Sequence, residues 1–309
     1  MKKCTNFRHL AIVLMSLLSL QVFSVFDEDE INSLLEARNG DISESVNKLS
    51  AVFLGRSYNT LGPLGEGVDA IYDQDPLWRT DEFDCTTYVE TVMALLLADD
   101  IEDFKRRITE IRYQNGKISF ITRNHFTSAD WIPQNIELGV IEDITTEVFN
   151  EKYIEMASSK INKKEWYKKM NMDRISILEK STLEDREDLL NELQEEGNQY
   201  DPVMASIPFM PIKHIFKKNK KLRRRVFNSI NSGDIINIVR PNWNLEKYIG
   251  TNINVSHQGL AIRDNGSLYF RHASPSGKGV VKQDLLEDYL RKYIGHKTVK
   301  GINILKIIE

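Results

Sequence analysis

The pair Asn265-Gly266 constrains this chain most, because it lies between two runs that read as β-strands, 255–262 and 268–272. Asn-Gly between such runs is a strong signal for a two-residue hairpin turn. A turn at this position sets the pairing register of the two strands, so that Gly259 lies opposite His272. The sequence therefore predicts an antiparallel hairpin with a defined set of cross-strand neighbours.

The predicted register brings two histidines to one face of the hairpin. His257 precedes Gly259 by two residues, so it points to the same face and is a diagonal neighbour of His272. Such diagonal neighbours lie about 7–8 Å apart at the backbone, within reach of two imidazoles. Leu268 and Phe270 share the face, which we therefore expect to be buried and to pack on a helix.

A strong helix is predicted for 85–97, with Asp84 at its N-cap position. Apolar side chains recur on one face of this helix, and Cys85 shares that face. The members of the face are Cys85, Val89, Val92, Met93 and Leu96. Cys85 is therefore expected at the first turn of the helix, on the side that faces the core.

Helical patterns dominate the first half of the chain and strand patterns the last part. Further helices are predicted within 29–54, with a break at Asn39-Gly40, and over 101–112. Strands are predicted over 117–122, 235–239, 255–262, 268–272 and 301–308. Helices followed by a run of short strands indicate an α+β domain with an antiparallel sheet.

The middle of the chain is highly charged. The stretch near 147–198 is rich in Lys, Glu and Asp in a helical pattern, and we interpret it as a charged helical insertion in a single domain spanning 25–309. The following segment, 202–211, is expected to be an extended, proline-containing link.

The N-terminus has the pattern of a secretory signal peptide. Lys2, Lys3 and Arg8 precede an apolar run over 10–26, and small or tolerated residues near Ser24 suit a signal peptidase. We expect cleavage near Ser24, export to the periplasm or the medium, and no stable membrane insertion afterwards. An uncleaved anchor is the alternative, since the run is near the lower length limit for spanning a membrane.

Composition excludes several classes of protein. The chain of 309 residues has a formal net charge of -4, which argues against a nucleic-acid partner. Its 2 cysteines exclude a disulfide scaffold and a four-thiolate zinc site. Signal cleavage would remove Cys4 and leave Cys85 as the one thiol, which is either a core side chain or a reactive group.

One cysteine at a helix start and two histidines on a buried sheet face suit nucleophilic catalysis. The N–H groups of a helix start and a nearby imidazolium both lower the pKa of a thiol. We assign Cys85 as nucleophile, His257 as base and His272 as the group that orients the base, with the N–H of Cys85 as an oxyanion donor. A zinc hydrolase using both histidines is the rival, but the sequence offers neither an HExxH motif nor a clear third ligand.

The motifs that carry these residues resemble those of NlpC-type cell-wall peptidases. The matching motifs are FDCTTYVE at 83–90, SHQGLA at 256–261 and RHAS at 271–274. The form DCTTYVE resembles the N-acetylmuramoyl-L-alanine amidase-like branch of that superfamily. The resemblance implies a papain-like fold, a peptidoglycan or muropeptide substrate, no cofactor or metal, and cleavage between N-acetylmuramic acid and L-Ala.

The resemblance also suggests residues that contact substrate. Tyr58 lies in the motif FLGRSY before the nucleophile, and Arg123, His125, Trp131 and Asn135 lie in a second matching segment. An Arg suits carboxylates and an aromatic ring suits a sugar face. The alternative is equally open here: Trp131 as a core residue and His125 as a residue that caps a loop.

Three rival functions remain open at this level. The same fold could cut within the stem peptide, since the shape of the pocket decides the scissile bond. An acyltransferase could pass the thioester to an amine. A catalytically silent envelope-binding protein could keep the fold alone.

Overall fold

The computed structural model describes residues 25–38, 40–60, 62–174, 176, 182–223 and 225–308. The predicted signal peptide, 1–24, lies outside the described residues. Within the described ranges, no helix has both the length and the apolar character needed to cross a membrane.

The described part of the chain contains eleven α-helices and ten β-strands. The helices are α1 (Glu28–Glu36), α2 (Ile42–Ala51), α3 (Cys85–Leu97), α4 (Ile101–Arg112), α5 (Ile132–Glu137), α6 (Thr145–Val148), α7 (Lys163–Tyr167), α8 (Leu183–Glu196), α9 (Ile212–Ile215), α10 (Glu246–Ile249) and α11 (Leu286–Arg291). The strands are β1 (Ser57–Tyr58), β2 (Glu82–Phe83), β3 (Ile141–Asp143), β4 (Glu155–Ile161), β5 (Val203–Pro211), β6 (Ile235–Asn244), β7 (Asn252–Asp264), β8 (Ser267–Ser274), β9 (Val280–Leu285) and β10 (Gly301–Ile307).

All ten described strands join one large sheet. Its order is β2-β1-β9-β8-β7-β6-β10-β5-β4. The remaining strand, β3, pairs with the C-terminal part of β10. Among the described strands, every pairing is antiparallel except that of β1 with β2. The mixed α+β class predicted from the order of the patterns is confirmed.

The hairpin register is also confirmed. Ala261 pairs with Phe270 and Asp264 with Ser267 across the turn. Asn265 and Gly266 both have positive φ, 47° and 77°. Two positive φ angles belong to a type I′ turn, whose twist matches that of the flanking strands.

The two faces of the sheet carry separate apolar clusters. Leu260 and Ile262 of β7 pack in a cluster with α3. Ala261 of β7 and Phe270 of β8 pack with Leu286 of α11 in a second cluster. Successive side chains of a strand point to opposite faces, so the face that carries His257 and His272 packs on α11, and α3 covers the other face.

Three predicted elements are corrected by the structure. The stretch 117–122 is not a strand: it ends in a 3-10 helix, Phe120–Thr122, because the Ser119 side chain caps its first turn. The charged stretch 147–198 is not purely helical, since it contains β4, in which buried Ala157, Ser159 and Ile161 alternate with exposed residues. The segment 202–211 is no link, because β5 occupies 203–211 and pairs with β4 and β10.

Gly259 is a position at which the hairpin tolerates no side chain. A Cβ there would lie 2.6 Å from Cε2 of Phe270, 2.7 Å from the carbonyl oxygen of Arg271 and 2.7 Å from Cβ of His272. These neighbours include backbone, so they cannot move aside cheaply. The absence of a side chain at Gly259 therefore allows β7 and β8 to hold their histidines close together.

We expect Gly259→Ala to lower the free energy of unfolding by about 1–3 kcal/mol, as overpacking of a full core does. Urea denaturation measures the change. Gly40→Ala is the matched control, because a Cβ at Gly40 meets no atom within 4 Å. Equal stability of the two variants would contradict the close approach at Gly259.

Candidate active site

The N-terminus of α3 is built by Asp84, as predicted. Its carboxylate accepts hydrogen bonds from the N–H of Thr86 at 2.9 Å and of Thr87 at 2.7 Å. The hydroxyl of Thr87 in turn accepts from the N–H of Asp84 at 2.9 Å, which completes a capping box. Cys85 is the first residue of this anchored helix.

The thiol of Cys85 lies against β7. The backbone N–H of Gln258 donates a hydrogen bond to its sulfur, and the hydroxyl of Thr86 donates to Oε1 of Gln258 at 2.8 Å. The ladder of paired residues between β7 and β8 ends at Leu260 and Arg271, beside this contact. Gln258 directly follows His257, so the thiol contacts β7 one residue along the strand from the predicted base.

His257, His272 and Asp284 form a hydrogen-bonded chain. Nε2 of His257 lies 2.6 Å from Nδ1 of His272, and Nε2 of His272 lies 3.2 Å from Oδ2 of Asp284. The pKa of Asp284 is lowered: burial opposes this, but hydrogen bonds from His272 and Lys282 outweigh it. The ionised carboxylate accepts a hydrogen bond from Nε2–H of His272. Nδ1 of His272 then accepts a hydrogen bond from Nε2–H of His257. This order leaves Nδ1 of His257 unprotonated and able to act as a base.

Both imidazoles are neutral at pH 7. Burial is the main cause that lowers the pKa of His257 to about 3, with His272 and Lys282 adding to it. Burial likewise lowers the pKa of His272 to about 4, although Asp284 opposes the shift. An imidazolium is therefore absent from the resting site.

The thiol is neutral too, which corrects the expectation of a lowered pKa. Burial and then the charge of Asp84 raise the pKa of Cys85 to about 12, although the hydrogen bond from Gln258 opposes the shift. The helix start and the histidines do not compensate, because Asp84 occupies the helix start and the histidines carry no charge. The site holds a thiol and a neutral base until a substrate is attacked.

Two tyrosines lie close enough to the thiol for its charge to affect them. Tyr58 was predicted there, and its pKa is raised by burial and then by the nearby Cys85 and Asp84. Tyr289 of α11 was not predicted; its ring centroid lies 5.3 Å from that of His272, and burial, Tyr293 and then Cys85 raise its pKa. Both phenols therefore keep their protons and can donate hydrogen bonds beside the sulfur.

Arg123 and His125 line a cavity of about 680 Å³ beside α3, whose wall also includes Asp84 and Thr86. Neither side chain is free within it. Arg123 forms an ion pair with Glu66 and donates to the carbonyl of Leu64 at 2.9 Å. Nε2 of His125 lies 2.7 Å from the carbonyl oxygen of Phe120, and this hydrogen bond stabilises the loop between the two residues.

Trp131 and Asn135 cannot contact a substrate in this structure, because both are 0% exposed. Nε1 of Trp131 donates to Oε1 of Glu90 on α3 at 3.0 Å. Nδ2 of Asn135 donates to the carbonyl of Trp131 at 2.8 Å. Their burial favours the alternative of a structural role: Trp131 is bonded to α3 through Glu90, and Asn135 is bonded to the backbone of Trp131.

Asp284 and Gln258 are site residues that the sequence reading missed. Asp284 lies on β9, which was not predicted because polar residues interrupt its apolar pattern VVKQDL. In the structure β9 pairs with β8 as the third strand, and Asp284 lies opposite Phe270. Within the described ranges, no group of three or more His, Cys, Asp or Glu side chains is arranged to hold a metal ion.

Comparison with known proteins identifies the family of the chain. A model of N-acetylmuramoyl-L-alanine amidase-like proteins matches residues 48–297, a range that includes Cys85, His257, His272 and Asp284. The chain belongs to the N-acetylmuramoyl-L-alanine amidase-like family. Membership supports a hydrolase, and peptidoglycan as its class of substrate.

Solved structures share the fold of this chain. A Legionella pneumophila protein is 40% identical, with a TM-score of 0.86 over 91% of this chain and 94% of its own. A putative xylanase from Bacteroides fragilis is 25% identical, with a TM-score of 0.55 over 84% and 99%. An N-acetylmuramoyl-L-alanine amidase from Bacteroides uniformis, 21% identical with a TM-score of 0.59 over 87% and 99%, shows a shared fold. A comparison with curated proteins finds no match.

The raised pKa of Cys85 gives a pH-dependent prediction for this amidase-like protein. Alkylation by iodoacetamide follows the thiolate fraction, so in the chain 25–309, where Cys85 is the one cysteine, the rate should still rise above pH 10. Asp84→Asn should move the rise to lower pH, because Asn caps a helix equally well and carries no charge.

Asp201→Asn is the matched control, since Asp201 is exposed on another part of the chain and should leave the profile unchanged. A rate that reaches its plateau below pH 8 in the unaltered protein would contradict the neutral thiol and indicate a thiolate–imidazolium pair.

Proposed function

We propose that the protein is an exported cysteine amidase that hydrolyses the amide bond between N-acetylmuramic acid and L-Ala in peptidoglycan or its fragments. The observation that carries the proposal is the contact of Cys85 with Gln258, the residue next to His257, together with the hydrogen-bonded chain His257–His272–Asp284, found in a member of an amidase-like family. It supplies a nucleophile, a base with a defined tautomer and an orienting carboxylate.

The first half of the reaction forms a thioester. As the sulfur of Cys85 attacks the lactyl carbonyl of the sugar, its proton passes to Nδ1 of His257, and a C–S bond forms. The new imidazolium is stabilised through His272 by the charge of Asp284. Proton transfer during attack removes the need for a preformed thiolate, which the high pKa of Cys85 disfavours.

The intermediate carries a negative oxygen that needs donors. The N–H of Cys85 lies at the helix start, next to the sulfur, and Tyr58 retains its phenolic proton nearby. Both would donate to the oxyanion, which is the group that such donors stabilise most.

Collapse of the intermediate then breaks the C–N bond. His257 returns its proton to the leaving amine of L-Ala, and the peptide departs. In the second half His257 takes a proton from water, and the resulting hydroxide attacks the thioester and breaks its C–S bond. His257 returns the proton to the sulfur of Cys85, and the lactyl carboxylic acid left on the sugar releases its own proton to solvent. No cofactor enters this balance.

The proposal extends to superfamily and location. A cysteine at the start of α3 and histidines on neighbouring strands are the arrangement that the resemblance to NlpC-type, papain-like enzymes implies. The basic and apolar pattern of 1–24 supports export, with the mature protein in the periplasm or the medium. Substrate in the cell wall is consistent with that location.

Mass spectrometry of a purified disaccharide-tetrapeptide tests the function. Incubated with the protein, it should yield free disaccharide and intact tetrapeptide, and Cys85→Ala should abolish both products. Asp201→Asn serves as the matched control and should cleave at the unaltered rate, because Asp201 is exposed and absent from the cavity wall.

Other outcomes would replace the proposal. A shortened stem still attached to sugar would indicate a stem-peptide endopeptidase, and sugar ligated to an added amine would indicate an acyltransferase. Binding without any turnover would indicate an envelope-binding protein. Equal activity of Cys85→Ala would remove Cys85 from the mechanism.

A further inference from the structure

A strongly basic loop, residues 217–225, lies outside the candidate active site. Seven of its nine residues are lysine or arginine, in the run KKNKKLRRR. No aspartate or glutamate occurs anywhere from Pro202 to Gly233, so no acidic residue of the same segment offsets these charges. Arg224 of the basic loop lies outside the described residues, and the others are described.

The basic loop is an ordered turn. The N–H of Lys217 donates to the carbonyl of Lys221 at 2.8 Å, and the N–H of Lys220 donates to the carbonyl of Lys217 at 2.8 Å. The side chain of Asn219 accepts from the N–H of Lys221 at 3.2 Å. Arg291 of α11 also donates to the carbonyl of Lys220. These bonds hold the backbone of the turn in one conformation and attach it to α11.

The apolar residues of this region face the core, and the charged residues face the solvent. Phe216 is buried, it forms a bridge with Leu222, and Leu222 packs against the apolar cluster that includes Leu286 of α11. The described cations of the basic loop are all exposed: Lys217, Lys218, Lys220, Lys221, Arg223 and Arg225. The fold therefore presents a dense set of positive charges on a firm apolar base.

Other charged surfaces of the protein mix the two signs. On α4 the ammonium group of Lys105 lies 3.0 Å from the carboxylate of Glu102, and on α11 Arg291 pairs with Glu287. Such mixing is what keeps a protein in solution without strong repulsion, whereas charges of one sign that are crowded together oppose folding. The basic loop has no acidic residue in its own segment, and this arrangement suits a surface that binds a polyanion.

The residue types of the basic loop favour an anionic lipid surface over a nucleic acid. Proteins that bind single strands without sequence preference stack the bases on aromatic rings, and 217–225 contains no aromatic residue. The turn itself carries only lysines, which are flexible point charges that need no fixed geometry from their partner. Clusters of about four to eight Lys or Arg are typical of segments that bind anionic headgroups.

We propose that the basic loop binds the protein to a bilayer surface that carries anionic phospholipid headgroups. This inference goes beyond the proposed function, because it concerns where the protein is held and not which bond it cleaves. The binding is electrostatic and peripheral, since Leu222, the one apolar residue of the loop, packs inward. It also orients the site, because α11 contacts both: the ring of Tyr289 lies 5.3 Å from that of His272, and Arg291 contacts the loop.

Co-sedimentation with lipid vesicles tests the proposal. The protein is the chain 25–309, so that the apolar run of the predicted signal peptide takes no part in binding. The vesicles are either pure phosphatidylcholine or equal parts of phosphatidylcholine and phosphatidylglycerol. The loop variant combines Lys217→Gln, Lys218→Gln, Lys220→Gln and Lys221→Gln. The control variant combines Lys48→Gln, Lys117→Gln, Lys169→Gln and Lys247→Gln, four exposed residues elsewhere, so both variants lose the same net charge.

We expect the unaltered chain and the control variant to bind the mixed vesicles and not the pure phosphatidylcholine vesicles. The loop variant should bind the mixed vesicles about 100-fold more weakly, the size of effect expected for several surface lysines. Raising the salt concentration from about 0.05 M to about 0.5 M should also weaken binding, because salt screens exposed charges. A third variant with arginine at the four loop positions should keep binding, because it keeps the charge. Circular dichroism on heating checks that each variant is folded.

Equal binding by the loop variant and the control variant would assign vesicle binding to overall charge and overturn the proposal. Failure of the unaltered chain to bind the mixed vesicles would overturn it as well. Loop-dependent binding to a soluble glycerol phosphate polymer or to a DNA duplex, without binding to vesicles, would replace the bilayer by that partner. Vesicle binding is measured without hydrolysis, so its failure is distinct from failure of the proposed function.

Discussion

The hydrogen bond between the imidazoles of His257 and His272 is the interaction on which the rest of the site depends. At 2.6 Å it requires two strands to approach closely at one point, which the missing side chain of Gly259 allows. It also requires the registered hairpin, since a slip of one residue would send one ring to the opposite face. Asp284 on the third strand then determines which nitrogen of each ring carries the proton.

Burial governs the electrostatics of this arrangement more than any charge does. It keeps both imidazoles neutral and the thiol protonated, so the resting site holds no ion pair. The sheet separates α3 from α11, and the thiol contacts Gln258, next to the base, where the pairing of β7 with β8 ends. The base, the nucleophile and their tautomers are in place before a substrate arrives, which lowers the reorganisation needed during attack.

The sequence predictions were most accurate where a few neighbouring residues determine the structure. The Asn265-Gly266 turn and the Asp84 cap are decided by a few neighbouring residues, so the hairpin register and the start of α3 were predictable. Cys85, His257 and Tyr58 could be predicted as neighbours, because their placement depends on those two elements and on motifs that match a family.

Properties that depend on tertiary burial were not predictable from pattern alone. The raised pKa of Cys85 and the full burial of Trp131 and Asn135 arise from packing between distant segments. Asp284 was missed because a strand rich in polar residues shows no clear period. The stretch near 147–198 looked like a solvated helix because its short strand, β4, is recognisable by its partner β5 more than by its own composition.

The most direct test of the account is ¹⁵N NMR of the histidine rings at pH 7 in the unaltered protein and in Asp284→Asn. The account predicts neutral His257 and His272, both protonated at Nε2, and a reversal to Nδ1 in the variant, whose amide can donate to His272. A doubly protonated His257, or one protonated at Nδ1 in the unaltered protein, would contradict it.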